Sequence, residues 1–336
     1  MANPSNPPEN PDAAGKSRRE VLLGLLRVGG VSASAAVAGL WLSRRSERPT
    51  DQAPLILARR FAAPPDPRYP ELVVAQRDDP RALVRDALAA LGGIERFISR
   101  GDVVVIKPNI GWDRTAEQAA NTNPMGVAEM ARQCFAAGAK KVIVTDVPCN
   151  EPHRCFARSG IARAAGDEGA DIVLPEERLF KQVDLRGDVL GEWPVLEPFV
   201  TADKVINFPI AKSHSLTGVT LGMKNWYGIL GGARNRLHQR IHESLADLAS
   251  VMRPALTLID AYRVLIRNGP TGGSLADVLL KKTLVAGTDP VALDAYVAKA
   301  YWDLDARQLR YLQLAQDRNL GKMDFAGERL KVVTSS

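Results

Sequence analysis

Residues 102–106 read DVVVI and are followed at once by Lys107, Pro108 and Asn109. A continuous run of β-branched residues is typical of a strand that is buried on both faces, as strands of parallel sheets are. Pro108 disfavours a helix at this point, so the polar side chains leave the end of the strand. With i, i+2 spacing, Lys107 and Asn109 can point the same way. The stretch therefore predicts a buried parallel strand with a polar carboxyl end.

Outward from this strand, short apolar segments alternate with segments of helical pattern. Further strands are predicted at 71–76, 141–145, 171–174, 205–208, 256–259 and 284–286. Helices are predicted at 80–91, 124–137, 156–168, 238–252, 290–301 and 306–317. This alternation predicts an α/β fold with a mostly parallel sheet flanked by helices. Two α/β lobes are the alternative, and the mixed signals of 175–200 fit an inserted hairpin.

The composition fits a globular protein. Of 336 residues, 46% are hydrophobic and 24% are charged, and three are Cys. These values exclude a wholly disordered chain and a small disulfide scaffold. Residues 1–48 hold 7 basic and 4 acidic residues, so half of the net charge of +6 lies there. The remainder has no basic run with interleaved aromatics, and no nucleic-acid partner is predicted.

Residues 1–42 are predicted to be an export signal. Ser17 precedes the pair Arg18-Arg19, and an apolar run extends to residue 42, interrupted by Arg27. This pattern is typical of a twin-arginine signal, which the export machinery reads as an address. The clean stretch 28–42 is short for a membrane span, yet no unique cleavage site is present. An uncleaved anchor in the inner membrane is therefore the alternative. Both interpretations place the folded part of the chain outside the cytoplasm, either in the periplasm or exported further.

The rest of the chain divides into two parts. Residues 43–68 are rich in Arg, Pro and Asp, which is typical of a linker. Residues 69–336 hold the predicted strands and helices, and form the predicted α/β domain.

Polar pairs follow the apolar segments, and α/β folds bind ligands at the carboxyl ends of their strands. Two pairs follow predicted strands, Lys107 with Asn109 and Lys212 with His214. A third pair, Lys224 with Asn225, is flanked by glycines and followed by aromatics. Three lysines near one cleft repel one another unless an anion or carboxylates lie between them. A nearby ammonium lowers the pKa of a His, which suits His214 as a neutral base. In the alternative interpretation these residues bind no ligand. Lys107 then extends its ammonium to the surface, Asn109 caps a turn, and His214 is a hydrogen-bonded residue at a turn.

Carboxylates and a glycine-rich loop add further candidates. Asp260 ends the strand at 256–259, and Asp247 lies on the helix before it. Asp294 has no capping role, so it is a candidate site carboxylate. Gly269 and Gly272 lie in the loop NGPTGG, which could form an anion-binding nest or a plain turn.

The cysteines and histidines leave two alternatives open. Cys149, His153 and Cys155 could bind a metal through two thiolates and an imidazole. In an exported protein, a disulfide between Cys149 and Cys155 fits better. Cys134 is predicted to be a buried thiol. His238 and His242 lack the Glu of an HExxH motif and are predicted on the edge or solvent side of their helix.

In order and spacing, the chain resembles the domain of unknown function 362 family. The matching segments are VVVIKPNIG (103–111), TNP (122–124), GAKKVIVTD (138–146), ADKVINFPIAKSH (202–214), TLGMKNWYGI (220–229), residues 246–273 and AGTDPVALDA (286–295). The resemblance implies an α/β domain over roughly 70–300, often behind a twin-arginine signal. The family's polar motif positions fall on Lys107, Asn109, Lys212, His214, Lys224, Asn225, Asp247, Asp260 and Asp294. Some relatives carry ferredoxin-like cysteine motifs that this chain lacks, so no iron–sulfur centre is carried over.

These residues together predict an exported enzyme acting on a small anionic molecule, with a metal as one cofactor option. The predicted catalytic residues are His214 as general acid/base, Lys212, and Asp260, which would orient His214 or hold a metal. The predicted ligand contacts are Lys107, Asn109, Lys224, Asn225, Asp247, Gly269, Gly272 and Asp294. The alternative is a non-catalytic periplasmic binding or assembly protein. A hydrogen bond between His214 and a carboxylate would favour the enzyme.

Overall fold

The computed structural model describes residues 54–57, 61–325 and 327–334. The predicted export signal, with Arg18 and Arg19, lies outside the described residues, as does part of the predicted linker. Within the described residues, no helix has the length and apolar character needed to cross a membrane.

Strands and helices alternate along much of the described chain. The strands are β1 (Leu55–Ile56), β2 (Leu72–Gln76), β3 (Val103–Pro108), β4 (Lys141–Val144), β5 (Asp171–Ile172), β6 (Phe180–Asp184), β7 (Glu192–Leu196), β8 (Lys204–Phe208), β9 (Ile210–His214), β10 (Gly218–Thr220), β11 (Leu256–Leu265), β12 (Val278–Gly287) and β13 (Leu330–Thr334). The α-helices are α1 (Pro80–Ala90), α2 (Pro124–Ala136), α3 (Pro152–Arg158), α4 (Ile161–Gly166), α5 (Glu197–Thr201), α6 (Ile241–Val251), α7 (Pro290–Trp302) and α8 (Arg310–Asp317).

The larger sheet has the strand order β13-β2-β12-β11-β8-β3-β4-β5, with β9 paired to β11 and to β10. One half of this sheet is parallel throughout. It consists of β11, β8, β3, β4 and β5, and each strand is parallel to the next. The strand β12 is antiparallel to both β11 and β2. The predicted α/β class with a mostly parallel sheet is confirmed, and the described residues belong to one compact unit rather than two lobes.

Alternate residues of β3 pack on opposite faces of the sheet. Val104 and Ile106 belong to the apolar cluster beneath α1, α2 and α4. Val105 belongs to the cluster on the other face, which is covered by α6, α7 and α8. Because side chains alternate along a strand, Lys107 continues the Val105 face. The alternation therefore delivers Lys107 to the side where Trp226 is buried.

The folded unit begins before the predicted boundary near residue 69. The strand β1 pairs in parallel with β6, and β6 forms an antiparallel hairpin with β7 in a second, three-stranded sheet. Phe61 is 2% exposed within the core. The apolar residues between the Arg, Pro and Asp residues of this segment explain why the predicted linker is partly folded.

Candidate functional site

A cavity of about 260 Å³ lies at the carboxyl ends of β3, β4 and β9. The structure brings six of the predicted residues to its wall: Lys107, Asn109, Lys212, His214, Lys224 and Asn225. The prediction missed Trp112, Asp146, Thr220, Tyr227, Arg234 and His238 as site residues, and Cys149 lines the cavity as well.

Lys107 is fully buried, and its ammonium is satisfied by the protein itself. Its Nζ donates to Asp146 Oδ1 (2.6 Å), Asn225 Oδ1 (3.0 Å) and the Pro108 carbonyl (3.0 Å). Burial lowers the pKa of Lys107, and the carboxylate of Asp146 opposes that shift. An ammonium has three N–H donors, so none is left for a ligand. The predicted ligand contact of Lys107 is thus replaced by a positioning role.

Asp146 joins the loops that follow β3 and β4. Besides its ion pair with Lys107, it accepts hydrogen bonds from the backbone amides of Ile110 (2.6 Å) and Val147 (2.9 Å). The signal that could have identified it is its position just after a buried strand, the same position that pointed to Lys107.

A chain of amides fixes the floor of the cavity. Asn109 Nδ2 donates to Asn225 Oδ1 (3.0 Å), Asn225 Nδ2 donates to Asn207 Oδ1 (2.8 Å), and Asn207 Nδ2 donates to the Gly222 carbonyl (2.9 Å). Each amide orients the next, because an amide has distinct donor and acceptor ends. The result is that Asn109 presents its oxygen to Lys212.

Lys212 has two acceptors, one fewer than Lys107. Its Nζ donates to Asn109 Oδ1 (3.0 Å) and to the Ala120 carbonyl (2.6 Å). The side chain is 1% exposed and none of the described carboxylates pairs with it. Burial lowers the pKa of Lys212 to about 7, with the charges of Lys224 and Lys107 adding to the effect.

Lys224 lies over an aromatic ring. Its Nζ is 3.9 Å from the centroid of Tyr227, a distance typical of a cation–π contact. None of the described carboxylates pairs with this ammonium. Burial lowers the pKa of Lys224 to about 7, and the charges of Arg234 and Lys107 contribute. Lys224 is therefore a cation with no counter-ion among the described residues.

His214 is neutral, but the structure does not support its predicted role as the base. Its Nδ1 accepts a hydrogen bond from the Leu216 amide (3.1 Å), so the proton of the neutral ring lies on Nε2. Burial lowers the pKa of His214 to about 3, with Lys224 and Lys212 adding to the shift. The predicted contact with Asp260 or another carboxylate is absent among the described residues. His214 is thus a hydrogen-bond donor.

Arg234 and Cys149 form one rim of the cavity. The Arg234 guanidinium donates to the carbonyls of Val147 (2.7 Å) and Tyr227 (3.2 Å), and Nη2 lies 3.7 Å from Cys149 Sγ. Cys149 is exposed and its thiol is free. His238 is on the 3-10 helix Arg234–Arg240, and its ring is 5.8 Å from that of Tyr227. His238 is exposed, but it lies on this 3-10 helix and not on the predicted helix 238–252, since the α-helix α6 begins at Ile241.

Two predicted carboxylates do not reach the cavity. Asp260 accepts hydrogen bonds from the amides of Asn123 (2.7 Å) and Tyr262 (2.9 Å). Burial raises the pKa of Asp260 to about 6. Asp247 pairs with Arg318 (2.8 Å) and accepts two backbone amides from the turn between β6 and β7. Both carboxylates therefore hold backbone segments in place, where the prediction had a catalytic and a ligand-binding residue.

Asp294 also acts on the backbone rather than on a ligand. It accepts hydrogen bonds from the amides of Gly222 (2.7 Å) and Met223 (3.1 Å). Burial raises the pKa of Asp294 to about 7, and these amides oppose the shift. The two amides directly precede the 3-10 helix Lys224–Ile229. Asp294 thereby positions Lys224 from outside the cavity.

The predicted glycine nest is a satisfied turn. The amide of Gly269 donates to Ser213 Oγ (2.9 Å), and that of Gly272 donates to the Asn268 carbonyl (3.2 Å). A Cβ at Gly269 would lie 2.1 Å from the Ser213 carbonyl oxygen, so this close approach requires glycine. The loop reaches the cavity through Pro270.

The predicted disulfide is not formed. Cys155 is buried on α3 and Cys149 lies on the preceding loop, and both are free thiols. Burial raises the pKa of Cys155 to about 11. His153 is exposed in the first turn of α3. Among the described residues, no three His, Cys, Asp or Glu side chains group into a metal site.

Known proteins resemble this chain in sequence. The model of a family described as "Domain of unknown function (DUF362)" matches residues 104–299, more than half of the chain. The thylakoid-associated protein sll1697 of Synechocystis is 28% identical over 228 residues, which are 63% of this chain and 67% of that protein.

Two solved structures show weaker likeness. The lactate racemase apoprotein from Thermoanaerobacterium thermosaccharolyticum has a TM-score of 0.40 and 16% identity over 67% of this chain and 55% of that one. A protein from Thermotoga maritima has a TM-score of 0.37 and 14% identity over 71% of this chain and 60% of that one. This chain thus spans less than two thirds of either structure.

Proposed function

This chain belongs to the DUF362 family, and we propose that it is an enzyme that binds a small carboxylate- or phosphate-bearing molecule in the cavity. The observation that carries the proposal is the charge balance of the wall. Lys212, Lys224 and Arg234 line the cavity, and none of them pairs with a described carboxylate. Among the described residues of the lining, Asp146 is the one acidic residue, and it pairs with Lys107. A bound anion would neutralise the other cations.

Burial makes the neutralisation of these ammonium groups energetically important. A buried ammonium without a partner is costly, because the protein does not replace its hydration. Burial lowers the pKa values of Lys212 and Lys224 to about 7, which is the expected response. An anion beside Lys224 and Arg234 would favour the charged form of Lys224 and raise its pKa.

A buried hydroxyl that lacks a hydrogen-bond partner among the described residues, here called an orphan hydroxyl, supports the proposal of a polar ligand. Thr220 is 4% exposed and lines the cavity, yet its Oγ1 has no hydrogen-bond partner among the residues that the structure describes. Buried polar atoms in proteins are nearly always paired. A ligand oxygen beside Thr220 would satisfy it.

The size of the cavity restricts the ligand. Its volume of about 260 Å³ is below the range of roughly 300–1,000 Å³ that is typical for drug-sized ligands. A molecule of a few carbon atoms with one or two anionic groups fits this space. The His214 Nε2–H group adds a neutral donor for one of its oxygens.

A non-catalytic binding protein is the second candidate. The observation that favours it is the environment of His214, which lacks the carboxylate partner of an acid/base pair among the described residues. Both candidates share the anion site and differ in whether a bound molecule is changed.

Calorimetric titration tests the shared site. We expect the purified protein to bind sulfate and propionate, and Lys224→Met to weaken both by about 10- to 100-fold, since a charge-assisted contact contributes roughly 1.5–3 kcal/mol. Lys331→Met, at an exposed position on β13, is the matched control and should bind as the parent does. Equal affinity of Lys224→Met and the parent would contradict the proposal.

Export by the twin-arginine route belongs to the same proposal. It is supported by the Arg18-Arg19 pair ahead of an apolar run, in residues outside the described part of the chain. A tether in the inner membrane is the alternative. The name of the Synechocystis relative associates that protein with a membrane, which fits either location.

A further inference from the structure

The amine of Lys212 is held differently from that of Lys107, although both side chains are buried beside the cavity. Lys107 has three acceptors for its Nζ, while Lys212 has Asn109 Oδ1 and the Ala120 carbonyl. An ammonium has three N–H groups, whereas a neutral amine has two N–H groups and one lone pair. The surroundings of Lys212 match the neutral amine.

The two acceptors fix where the lone pair of that amine lies. Both N–H groups are donated to oxygens of the protein, at 3.0 Å and 2.6 Å. Lys212 also lines the cavity, so the remaining direction of its tetrahedral nitrogen is open to a ligand. The absence of a carboxylate partner among the described residues and the nearby cations favour this uncharged form, in line with a pKa lowered to about 7.

The orphan hydroxyl of Thr220 lies next to this amine. In the antiparallel pair of β9 and β10, Thr220 is directly opposite Lys212. Side chains at such positions lie on the same face, with Cβ atoms about 4.5–5.5 Å apart. A neutral amine and an unpaired hydroxyl therefore adjoin in one wall of the cavity, with the unpaired cation of Lys224 also in the lining.

From this arrangement we infer that Lys212 is a covalent nucleophile that forms an imine with a small 2-oxo carboxylate. The inference rests on the proposed function and names its substrate class. The carboxylate lies against Lys224 and Arg234, and the carbonyl carbon lies at Lys212 Nζ. Lysine amines with lowered pKa values are known to attack carbonyl carbons in this way.

The step balances without a further reactant. The lone pair of Nζ forms an N–C bond, and the carbonyl oxygen becomes a hydroxyl that Thr220 Oγ1 can contact. The C–O bond then breaks, and the oxygen leaves as water with the two protons that Nζ has lost. The product is the imine, which keeps the carboxylate of the substrate.

Borohydride trapping on the unmodified protein tests the inference. The probes are pyruvate, which has a carbonyl beside its carboxylate, and propionate, which has the carboxylate alone. Reduction in the presence of pyruvate should add the mass of one reduced pyruvate, and peptide mapping should place it on Lys212. We expect labelling of Lys212 to exceed that of the exposed Lys331 by about tenfold or more at pH 7, because an ordinary lysine is almost wholly protonated there.

Two variants complete the test. Lys212→Arg should abolish the adduct, while Lys331→Arg should not change it. Thr220→Val keeps the shape of the side chain and should slow trapping severalfold. Labelling spread evenly over the exposed lysines of the parent protein would overturn the inference, even where Lys212→Arg fails to fold.

Binding measured in parallel separates the two proposals. If propionate and pyruvate both bind by calorimetry and pyruvate is not trapped, the imine is wrong and the anion site stands. If neither binds, the proposed function fails and the imine fails with it.

Discussion

At the scale of single residues, the acceptors around an amine decide what a lysine does. Lys107 lies near the end of β3 and Lys212 lies within β9, and both side chains are almost wholly inaccessible. Lys107 donates to a carboxylate and two further oxygens, so its charge is neutralised inside the protein. Lys212 meets two neutral oxygens and faces a cavity. Lys107 therefore has a structural role in the cavity wall, and the amine of Lys212 is available to react with a ligand.

The affinity of the cavity for anions is expected to fall as the pH rises. The pKa values of Lys212 and Lys224 are about 7, so both side chains lose their charge between pH 6 and pH 8.5. Sulfate keeps its charge over this range. We expect calorimetry to show binding weaker by about tenfold or more at pH 8.5 than at pH 6, since each pKa unit corresponds to about 1.4 kcal/mol. Lys224→Arg, which stays charged, should reduce this dependence, and a pH-independent affinity would contradict the assignment.

The three cysteines are expected to react differently with a thiol reagent. Cys149 is exposed, whereas Cys134 and Cys155 are buried and burial raises the pKa of each. The native protein should therefore show one fast thiol, and the denatured, unreduced protein three. Cys149→Ser should remove the fast reaction and leave two thiols on denaturation. One thiol in the denatured, unreduced parent would instead indicate a disulfide between Cys149 and Cys155.

Strand-end position predicted four residues of the cavity wall, Lys107, Asn109, Lys212 and His214, because side chains at the carboxyl ends of neighbouring parallel strands converge. Lys224 and Asn225 were predicted from a Lys-Asn pair flanked by glycines. Neither signal was enough to assign the roles of these residues. Whether Asp294 contacts a ligand or two backbone amides depends on a turn 71 and 72 residues away in sequence. The tautomer of His214 likewise depends on the Leu216 amide, which only the folded turn brings near.

At the scale of elements, the 3-10 helix Lys224–Ile229 carries much of the site. It contributes Lys224, Asn225 and Tyr227 to the cavity wall, and Trp226 to the core. The carboxylate of Asp294 accepts the two amides just before it, and so fixes where the helix begins.

Removal of the Asp294 carboxylate is expected to loosen this helix. Asp294→Ala leaves two buried amides without an acceptor, each at a cost of about 1–3 kcal/mol, so the free energy of unfolding should fall by roughly 2–6 kcal/mol. Chemical denaturation measures this change. Affinity for sulfate should fall as well, because Lys224 loses its fixed position.

Asp305→Ala is the matched control for that prediction. Asp305 is exposed and caps the 3-10 helix Ala306–Gln308, so its loss should change the free energy of unfolding by about 1 kcal/mol and leave sulfate binding as it was. If Asp294→Ala were no more destabilising than Asp305→Ala, the positioning role would be wrong.

The pattern of apolar residues predicted the strands that are rich in apolar residues, but it did not predict the strands that are rich in polar residues. The runs at 102–106 and 141–145 form β3 and β4, because β-branched residues buried on both faces leave a clear pattern. The predicted helix at 156–168 is divided into α3 and α4 at Gly160, which has a φ of 76°. The strands β9 and β10 were missed, since their lysine, serine, histidine and threonine residues carry no strand pattern. Those two strands hold Lys212 and Thr220 opposite each other.

At the scale of the whole molecule, the predicted export signal and the cavity lie in different parts of the sequence. The described unit begins at residue 54 and contains the cavity, whereas the predicted signal precedes it. Much of the formal charge of +6 lies in the segment before residue 49, so the overall basicity is a poor guide to the ligand. The position of Lys212, Lys224 and Arg234 around one cavity is the better guide.

Export is expected to depend on the paired arginines. Replacement of Arg18 and Arg19 by lysine keeps the charge and should retain the full-length chain in the cytoplasm, because a receptor reads the pair as an address. Cell fractionation of a bacterium with the twin-arginine route measures the distribution. The matched control replaces Arg44 and Arg45 by lysine and should be exported as the parent is. Export of both variants alike would contradict the twin-arginine signal.

The amide chain on the cavity floor joins residues that are far apart along the polypeptide. Lys107 and Asn225 are 118 residues apart, and Asn109 and Lys212 are 103 apart. Such contacts raise the contact order, and closure of the long loops between them slows folding. The cavity cannot be transferred to another scaffold as a contiguous graft, and a chain truncated between β5 and β8 would retain Lys107 and Asn109 without the partners that orient them.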